Sequence, residues 1–565
     1  MDKIIIYQVL PRLFGNVNET CKCNGTLEEN GVGKFADFTA NVLKKIKNMG
    51  FTHIWYTGII RHATKTDYSS AGIPQSHPAI VKGNAGSPYA IADYYDVCPD
   101  LAVNVDNRME EFVKLVERTH KQGLKMIIDF VPNHVARQYR SIKKTGKVKD
   151  LGKDDIVSFA FSPDNNFYYI PETGLTGQFD MSAGKDLYYE FPAKATGNDC
   201  FHASPGVNDW YETVKLNYGV DYSDRRKAYF SPIPSTWKKM TDILLFWASK
   251  GIDAFRCDMA EMVPAEFWNH AIPKVKAKHK DLLFIGEIYN PHEYKKYLEV
   301  GRFDYLYDKA GLYDTLRNVI CGYDFATSIS RCWQQLGDMQ HQMLNFLENH
   351  DEQRIASDFF AGNPFAAIPG MIVAATMNVN PVMIYNGQEL GEKGMDHEGF
   401  SGIDGRTSIF DYWSMKSVRD WANHGKFNEE KLSRDQITLK KFYTKLLKLC
   451  NSEKSISKGL FYDLMYVNND SPNFNPLKQY AYIRTDEETM LLIVVNFDSR
   501  NVDVAVKIPK HAFDFFLIAK KKNVVCTDLL SGETIKQNIL PDEKIAMHIP
   551  AYSGRIYKWK YAKIG

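Results

Sequence analysis

The stretch Gly251-Ile-Asp-Ala-Phe-Arg-Cys-Asp258 is a short apolar run that ends on an acidic residue. Apolar runs of about four to eight residues bounded by turn residues predict buried β-strands. Seven comparable runs occur before residue 390, and they span residues 4–8, 52–56, 125–129, 282–287, 303–308, 343–349 and 382–386. Eight such strands alternating with helices predict the α/β class and a (β/α)8 TIM barrel.

The segments between these runs have the periodicity of amphipathic helices. After the first run, Phe35, Phe38, Val42 and Ile46 recur at steps of three or four residues and Gly50 follows them. Such spacing places the apolar side chains on one face of a helix, and a glycine is typical of the residue after its end. The segment before residue 125 has the same spacing of apolar residues and also predicts an amphipathic helix.

Two segments depart from this alternation. Residues 135–234 are rich in Tyr, Asn, Asp and Gly and are far too long for an ordinary connection, which predicts an inserted subdomain. Beyond residue 450, β-type runs alternate with turn residues and predict a separate antiparallel domain. The predicted division is a catalytic barrel over 1–134 and 235–435, an inserted subdomain over 135–234 and a C-terminal β-sandwich over 436–565. We expect the last to cap the barrel, with glucan binding through Tyr557 or Trp559 as the alternative.

Composition excludes several classes of function. The chain has 565 residues with 70 Lys+Arg and 68 Asp+Glu, a net charge of +2, which predicts no nucleic-acid partner. No apolar run reaches the length of about 20 residues that spans a membrane, so no membrane association is predicted. The nine cysteines are irregularly spaced and predict reduced thiols. We assume a monomer. The start at Met1 lacks an export signal, which predicts the cytoplasm if Met1 is native and the periplasm or secretion if a signal was removed.

Three acids stand at the ends of predicted strands. Asp258 ends the fourth strand, Glu287 ends the fifth, and Asp351 follows the seventh. The carboxyl ends of barrel strands surround one pocket, so we expect the three carboxylates to meet there. Carboxylates that repel one another at one site indicate a chemical use, because a fold gains no stability from the arrangement. Arg256 lies two positions before Asp258, on the same strand face, and is expected to hold it ionised.

Four stretches give these residues a family context. They are Asp129-Phe-Val-Pro-Asn133-His134, Gly251-Ile-Asp-Ala-Phe-Arg256-Cys-Asp258, Gly286-Glu287 and Glu348-Asn-His350-Asp351. In this order they resemble the four signature regions of the α-amylase family, glycoside hydrolase family thirteen. That family has a catalytic barrel, a domain inserted after the third strand and a C-terminal β domain, as in the division above.

The resemblance implies a role for each site residue. Asp258 would be the nucleophile, Glu287 the general acid and base, and Asp351 the carboxylate that stabilises the oxocarbenium-like transition state. Three further residues would bind the sugar: His134 and His350 through its hydroxyls and Tyr89 as a stacking platform. Asn133 resembles a calcium ligand of many members, so calcium is the one cofactor to consider, and the chemistry itself requires none.

The implied activity is that of a retaining glycoside hydrolase acting on an oligosaccharide or polysaccharide. It would cleave α-glucosidic bonds, mainly α-1,4, in starch-derived glucans or malto-oligosaccharides through a covalent glycosyl-enzyme. A transglycosylase or disaccharide isomerase would use the same residues, and a non-catalytic carbohydrate-binding relative is a third reading. The chain also departs from the family: Met259-Ala-Glu261-Met262 replaces a common Lys-His pair, and Ser87 stands where a histidine is usual.

Overall fold

All eight predicted barrel strands are present in the computed structural model. The structure describes residues 3–144, 149–394, 399–400 and 402–563, so the first residue of the first predicted domain and the last residue of the last one lie outside the described ranges. The strands form one closed barrel in which each is parallel to the next in the chain and the eighth pairs with the first. In chain order, barrel strands 1 to 8 are Ile5–Val9, His53–Tyr56, Lys125–Phe130, Ala254–Cys257, Leu283–Gly286, Tyr305–Tyr307, Met343–Phe346 and Val382–Tyr385. The (β/α)8 prediction is confirmed.

Successive side chains along each barrel strand point to opposite sides of the barrel wall, which gives two separate apolar cores. One side of the strands fills the barrel interior with side chains such as Ile6, Trp55, Ile127 and Ile285. The other side packs against the surrounding helices in a much larger core. The strand register places Arg256 beside Asp129 on one neighbour and beside Ile285 on the other. The interior is therefore apolar at its base and charged towards the carboxyl ends of the strands.

Helices of the predicted kind connect the strands. The two segments singled out by periodicity contain the helices Ala40–Asn48 and Arg108–Lys121, and each buries its apolar face. The first helix begins later than the spacing predicts, because the Thr39 side chain accepts from the Val42 N–H and caps it there. Phe35 lies in a separate 3-10 turn, and Phe38 also precedes the helix. The helices of six or more residues are Ala40–Asn48, Arg108–Lys121, Ser235–Ala248, Ala265–Lys276, Tyr294–Glu299, Asp314–Cys321, Ser328–Leu336, Ile368–Thr376, Lys416–Ala422, Arg434–Ser452 and Lys510–Phe516. No helix among the described residues is long and apolar enough to cross a membrane.

The inserted segment consists mainly of loops held by three short strand pairs. Strand His134–Ala136, directly after barrel strand 3, pairs antiparallel with Thr213–Lys215. Tyr169–Ile170 pairs with Ala193–Lys194, and Val220–Asp221 pairs with Lys227–Ala228. The first of these pairs anchors the segment at the barrel mouth. The boundaries at residues 134, 234 and 435 stay predictions.

The C-terminal part contains two antiparallel sheets. Six strands form one sheet in the order Leu460–Asp463, Gln479–Thr485, Thr489–Asn496, Ser553–Lys560, Lys521–Asp528 and Thr534–Ile539, and Val502–Lys507 pairs with Lys544–Ile549 in the other. The alternative that Tyr557 and Trp559 are exposed for glucan binding is wrong, because both side chains are buried in a central strand. The larger sheet meets the barrel through Arg484, whose guanidinium donates to the Met377 carbonyl at 2.9 Å, as expected for a cap.

Candidate active site

The three predicted acids lie at the mouth of the barrel and line one cavity of about 270 Å³. Asp258 and Glu287 directly follow barrel strands 4 and 5, and Asp351 lies in the loop after strand 7. The side chains of Asp258 and Glu287 are buried, whereas that of Asp351 is 42 % exposed. The structure therefore gathers all three carboxylates, as the strand ends predict, with two deep in the cavity and one at its opening.

Arg256 joins the two deep acids. Its Nη1 donates to Asp258 Oδ1 at 2.7 Å, and its Nη2 lies 2.6 Å from Glu287 Oε1 in an ion pair without hydrogen-bond geometry. Asp129 Oδ1 is 3.5 Å from Nη1, and the Tyr307 hydroxyl accepts from Nε at 3.1 Å. One buried guanidinium thus contacts three carboxylates, which explains how the site tolerates them.

Glu287 is fixed by two further donors. The backbone N–H of Met259 donates to Oε2 at 2.7 Å, and the Tyr289 hydroxyl donates to Oε1 at 2.6 Å. Met259 has φ +42°, the left-handed region that a non-glycine residue rarely adopts. This strained residue directly follows Asp258, so the turn that ends strand 4 also aims an N–H at the acid of strand 5.

Burial and charge set the protonation of the deep acids. Burial raises the pKa of Asp258 well above its usual value, Arg256 opposes this rise, and the carboxylates of Glu287 and Asp129 add to it. Two carboxyls on one guanidinium repel each other when both are ionised. One ionised and one protonated carboxyl is the state from which a retaining glycosidase begins.

His350 connects Asp351 to Tyr89. Its Nε2 lies 2.9 Å from Asp351 Oδ2 and 2.6 Å from the Tyr89 hydroxyl, and its Nδ1 lies 2.8 Å from Gln8 Nε2. The rings of Tyr89 and His350 stack with centroids 5.2 Å apart. Burial opposes the charge of Asp351, but His350 and Arg256 outweigh it and lower the pKa of this carboxyl. Asp351 is accordingly an ionised group at the cavity mouth.

His134 lies on another wall of the cavity. Its ring centroid is 5.2 Å from that of Trp210, which also lines the cavity. Burial, together with the positive charges of Lys215 and Lys82, lowers the pKa of His134 to about 3. The imidazole is therefore neutral near pH 7 and is suited to hydrogen bonding with hydroxyls.

Asn133 does not face a space for a cation. Its Oδ1 accepts from the Lys215 ammonium at 2.8 Å, and its Nδ2 donates to the Gly197 carbonyl at 2.7 Å. Lys215 Nζ also lies 2.5 Å from Asp199 Oδ1. Calcium requires about six to eight oxygen ligands, and an ammonium at the oxygens would repel it. The residues as placed do not fit calcium, and no cluster of three or more acidic, His or Cys side chains suited to a metal occurs in the described part of the chain.

The cavity wall is held by a buried arginine near the N-terminus. Arg12 donates to the carbonyls of Gly86 and Ile409 at 3.1 and 3.0 Å, and to that of Ala85 at 3.0 Å. It thereby joins the loop after barrel strand 2 to the loop after strand 8. Both loops line the cavity, the first through Ser87 and Tyr89 and the second through Ile409 and Phe410.

The two departures from the family pattern have local structural roles. Glu261 Oε2 accepts from the backbone N–H groups of Tyr289 and Asn290 at 2.9 and 3.1 Å, so it holds the loop after strand 5. Ser87 Oγ accepts from the backbone N–H of Tyr89 at 3.2 Å and fixes the start of that turn. Each residue positions a loop that carries a cavity-lining tyrosine.

Several residues of the site escaped prediction from the sequence. Tyr289 contacts Glu287 and Tyr307 contacts Arg256, while three further residues line the cavity from long loops: Lys82, Trp210 and Glu212. Of these residues, Tyr307 alone has a signal in the sequence, because it ends barrel strand 6. The loop residues carry no periodicity, and only the folded chain brings them together.

A family model and similar proteins place the chain among known enzymes. The model for the α-amylase catalytic domain matches residues 8–445. An α-amylase 2 of Dictyoglomus thermophilum is 22 % identical over 508 residues, 88 % of this chain and 70 % of that protein. A trehalose-6-phosphate hydrolase of Bacillus subtilis is 21 % identical over 578 residues, covering 88 % of this chain and 89 % of that one.

Solved structures agree in fold along the whole chain. The maltogenic α-amylase AmyB of Thermotoga neapolitana superposes with a TM-score of 0.63 and 19 % identity, covering 99 % of this chain and 98 % of that one. The acarbose complex of a Geobacillus thermoleovorans α-amylase gives a TM-score of 0.62 and 18 % identity, with coverage of 99 % and 98 %. With the match to the catalytic-domain model, the barrel and the four signature regions show that this chain is an α-amylase-type glycosidase and belongs to the α-amylase family, glycoside hydrolase family thirteen.

Proposed function

We propose that the protein hydrolyses α-glucosidic bonds, mainly α-1,4, in malto-oligosaccharides and starch-derived glucans with retention of configuration. The observation that carries this proposal is the single guanidinium of Arg256 in contact with both Asp258 and Glu287 in one buried cavity. Because one guanidinium contacts both carboxyl groups, it keeps them close together, in keeping with the separation of about 5–5.5 Å typical of retaining enzymes.

In the first step, an Asp258 oxygen attacks C1 of the sugar while the carboxyl of Glu287 gives its proton to the glycosidic oxygen. The C1–O bond breaks, the shortened chain leaves as an alcohol, and the sugar becomes an ester of Asp258. In the second step, the Glu287 carboxylate takes a proton from water, whose oxygen attacks C1 and releases Asp258 as carboxylate. Both substitutions invert C1, so the net configuration is retained.

The remaining side chains support these steps. Positive charge develops on the sugar ring in the transition state, and the ionised Asp351 at the cavity mouth can stabilise it. Tyr89 offers a ring face to the C–H groups of the sugar, and its hydroxyl contact with His350 fixes its orientation. Neutral His134 supplies hydrogen bonds to hydroxyls without adding a competing positive charge.

The size of the cavity favours attack near a chain end. Its volume of about 270 Å³ is at the lower limit of ligand pockets, about 300–1,000 Å³. The loops after strands 2 and 8, which both line it, are joined where the Ala85 N–H donates to the Phe410 carbonyl at 3.1 Å. Gly83 in the same loop has φ +65°, and a Cβ there would lie 2.1 Å from the Phe410 oxygen, so only glycine permits this approach. We therefore expect one or two sugar units to be released at a time.

A second cavity, of about 550 Å³, is placed to hold the leaving chain. It is lined by Glu261 and Met262, which follow Asp258, and by Asn290, which follows Glu287. Tyr222 and Arg226 of the inserted segment complete it from the other side, with the guanidinium 5.0 Å from the ring centroid. A site next to the general acid suits the sugar on the far side of the cleaved bond.

Maltoheptaose tests the proposal. We expect a time course by chromatography to show early glucose or maltose with maltohexaose or maltopentaose, and proton NMR to show the α-anomer of each new reducing end first. Products longer than maltoheptaose would instead indicate transglycosylation, in which a sugar hydroxyl replaces water in the second step. Release of the β-anomer, or no turnover of any α-glucan, would contradict the proposed function.

A further inference from the structure

Two charged residues line the catalytic cavity without a part in the steps above. Lys82 lies in the loop after barrel strand 2 that also carries Tyr89, and Glu212 directly precedes the strand Thr213–Lys215 of the inserted segment. Both side chains are buried, and Lys82 Nζ lies 3.0 Å from Glu212 Oε2. Burying an ion pair is costly, so its presence in a ligand cavity needs an explanation.

The Glu212 carboxylate has unused capacity to accept hydrogen bonds. Among the described residues, Oε2 has no hydrogen-bond partner, although Lys82 Nζ lies 3.0 Å from it in an ion pair. Burial raises the pKa of Glu212, and Lys82 opposes that rise. The Lys82 ammonium has three donors, one of which points to the Asp209 carbonyl at 3.3 Å. A buried acceptor left without partners costs stability, and a bound hydroxyl would remove that cost.

The pair lies on the His134 side of the cavity. The positive charge of Lys82 is among the influences that lower the pKa of His134, and Trp210 packs near the same histidine. Asp258 instead follows barrel strand 4, on the barrel wall, whereas Trp210 and Glu212 line the cavity from the inserted segment. A sugar with its C1 at Asp258 therefore presents the more distant part of its ring to Lys82 and Glu212.

We propose that Lys82 and Glu212 form a specificity-determining pair that binds one hydroxyl of the sugar in the cavity, at C4 or C6. The hydroxyl donates a hydrogen bond to the Glu212 carboxylate and accepts one from the Lys82 ammonium. A hydroxyl suits this pair because it is both donor and acceptor, whereas an anionic substituent would be repelled by Glu212 and a cationic one by Lys82. The inference rests on the proposed function, since it requires C1 of a hexose at Asp258.

The test compares variants on substrates that differ by one hydroxyl. Glu212→Gln and Lys82→Met are assayed on 4-nitrophenyl α-D-glucopyranoside and on its 4-deoxy and 6-deoxy analogues. We expect kcat/KM on the parent to fall about ten- to hundredfold, as for loss of a hydrogen bond to a charged group. On the analogue that lacks the bound hydroxyl, the same substitutions should change kcat/KM by less than about threefold. Equal losses on all three substrates, or none, would overturn the pairing.

A binding measurement keeps the inference testable without turnover. In a Glu287→Gln background, calorimetry with 1-deoxynojirimycin, which retains both hydroxyls, should show about tenfold weaker binding after Glu212→Gln; unchanged affinity overturns the pairing. Asp155→Asn is the matched control, because Asp155 is a partly buried carboxylate of the inserted segment that accepts from the backbone N–H groups of Asn166 and Phe167 at 2.8 and 3.0 Å and does not line the cavity. It should lower thermal stability without changing substrate discrimination. If the affinity for 1-deoxynojirimycin depends on Glu212 but the enzyme cleaves no α-glucoside, the proposed function is contradicted and the pairing is not.

Discussion

Arg256 and Glu287 are joined across two barrel strands by a contact of 2.6 Å between Nη2 and Oε1, while the same guanidinium donates to Asp258 at 2.7 Å. The arginine therefore fixes the relative position of the two acids that the proposed mechanism uses. It also lets two carboxyl groups share a buried site that would otherwise force both to be protonated. Its loss should change the pH at which the enzyme works.

Replacing Arg256 by Met should move the acid side of the pH profile upwards. The positive charge of Arg256 favours ionised Asp258 and so lowers its pKa; without it, that pKa rises further. Because attack requires ionised Asp258, the acid limb of kcat/KM should shift by about 1–3 pH units to higher pH, in addition to a large loss of rate. Arg331→Met, at a side chain 68 % exposed, is the control. An unchanged acid limb would contradict the pairing.

Removing the general acid should slow both steps. Glu287→Gln keeps the size of the side chain but can neither donate nor accept the catalytic proton, so we expect kcat to fall by about 10²–10⁴. Substrates with a leaving group that needs no protonation, such as 2,4-dinitrophenyl α-glucoside, should lose less in the formation of the glycosyl-enzyme. The exposed Glu299→Gln is the control. Wild-type turnover of maltoheptaose by Glu287→Gln would show that another group is the acid.

Chelators should have no effect on this protein. Lys215 Nζ already contacts Asn133 and Asp199 at 2.8 and 2.5 Å. We expect EDTA to change neither the melting temperature nor the activity. Lys215→Met should lower the free energy of unfolding by about 1–3 kcal/mol, because it leaves polar atoms unpaired. Lys227→Met is the control: it removes an exposed lysine and should not lower the free energy of unfolding. Loss of stability in EDTA that calcium restores would contradict this account.

Arg12→Met should weaken substrate binding by loosening the cavity wall. Arg12 is the donor that joins the loops after strands 2 and 8, so we expect KM to rise at least about fivefold and proteolysis near residues 83–86 to accelerate. Arg108→Met is a matched control, since Arg108 is equally buried and pairs with Asp96 at 2.7 Å away from the cavity. Both variants should be less stable. Equal KM values in the two would show that Arg12 acts only on stability.

The barrel and the positions of Asp258, Glu287 and Asp351 at its mouth could be predicted because they depend on local sequence. A buried parallel strand is a short apolar run, and the residue after it faces the mouth, so Asp258 and Glu287 could be placed from the runs that precede them. Asp351 lies five residues beyond the end of strand 7, and its motif predicts its place. These positions need no knowledge of the loops.

The cavity walls could not be predicted, because they are made by tertiary contacts between irregular segments. Lys82 and Glu212 are 130 residues apart and lie in loops without periodicity. The contact of Lys215 with Asn133 depends on the pairing of His134 with Lys215 across two short strands. The sequence leaves open whether Tyr557 and Trp559 are exposed, because it is the pairing of their strand on both sides that buries them.

The most direct measurement is to trap the covalent intermediate. Incubation with 5-fluoro-α-D-glucopyranosyl fluoride, whose fluorine at C5 slows breakdown of the intermediate, followed by proteolysis and mass spectrometry identifies the residue that carries the sugar. The proposed mechanism predicts one fluoroglucosyl group, on Asp258, and none in Asp258→Asn. A sugar attached to any other residue, or inactivation of Asp258→Asn at the wild-type rate, would contradict it.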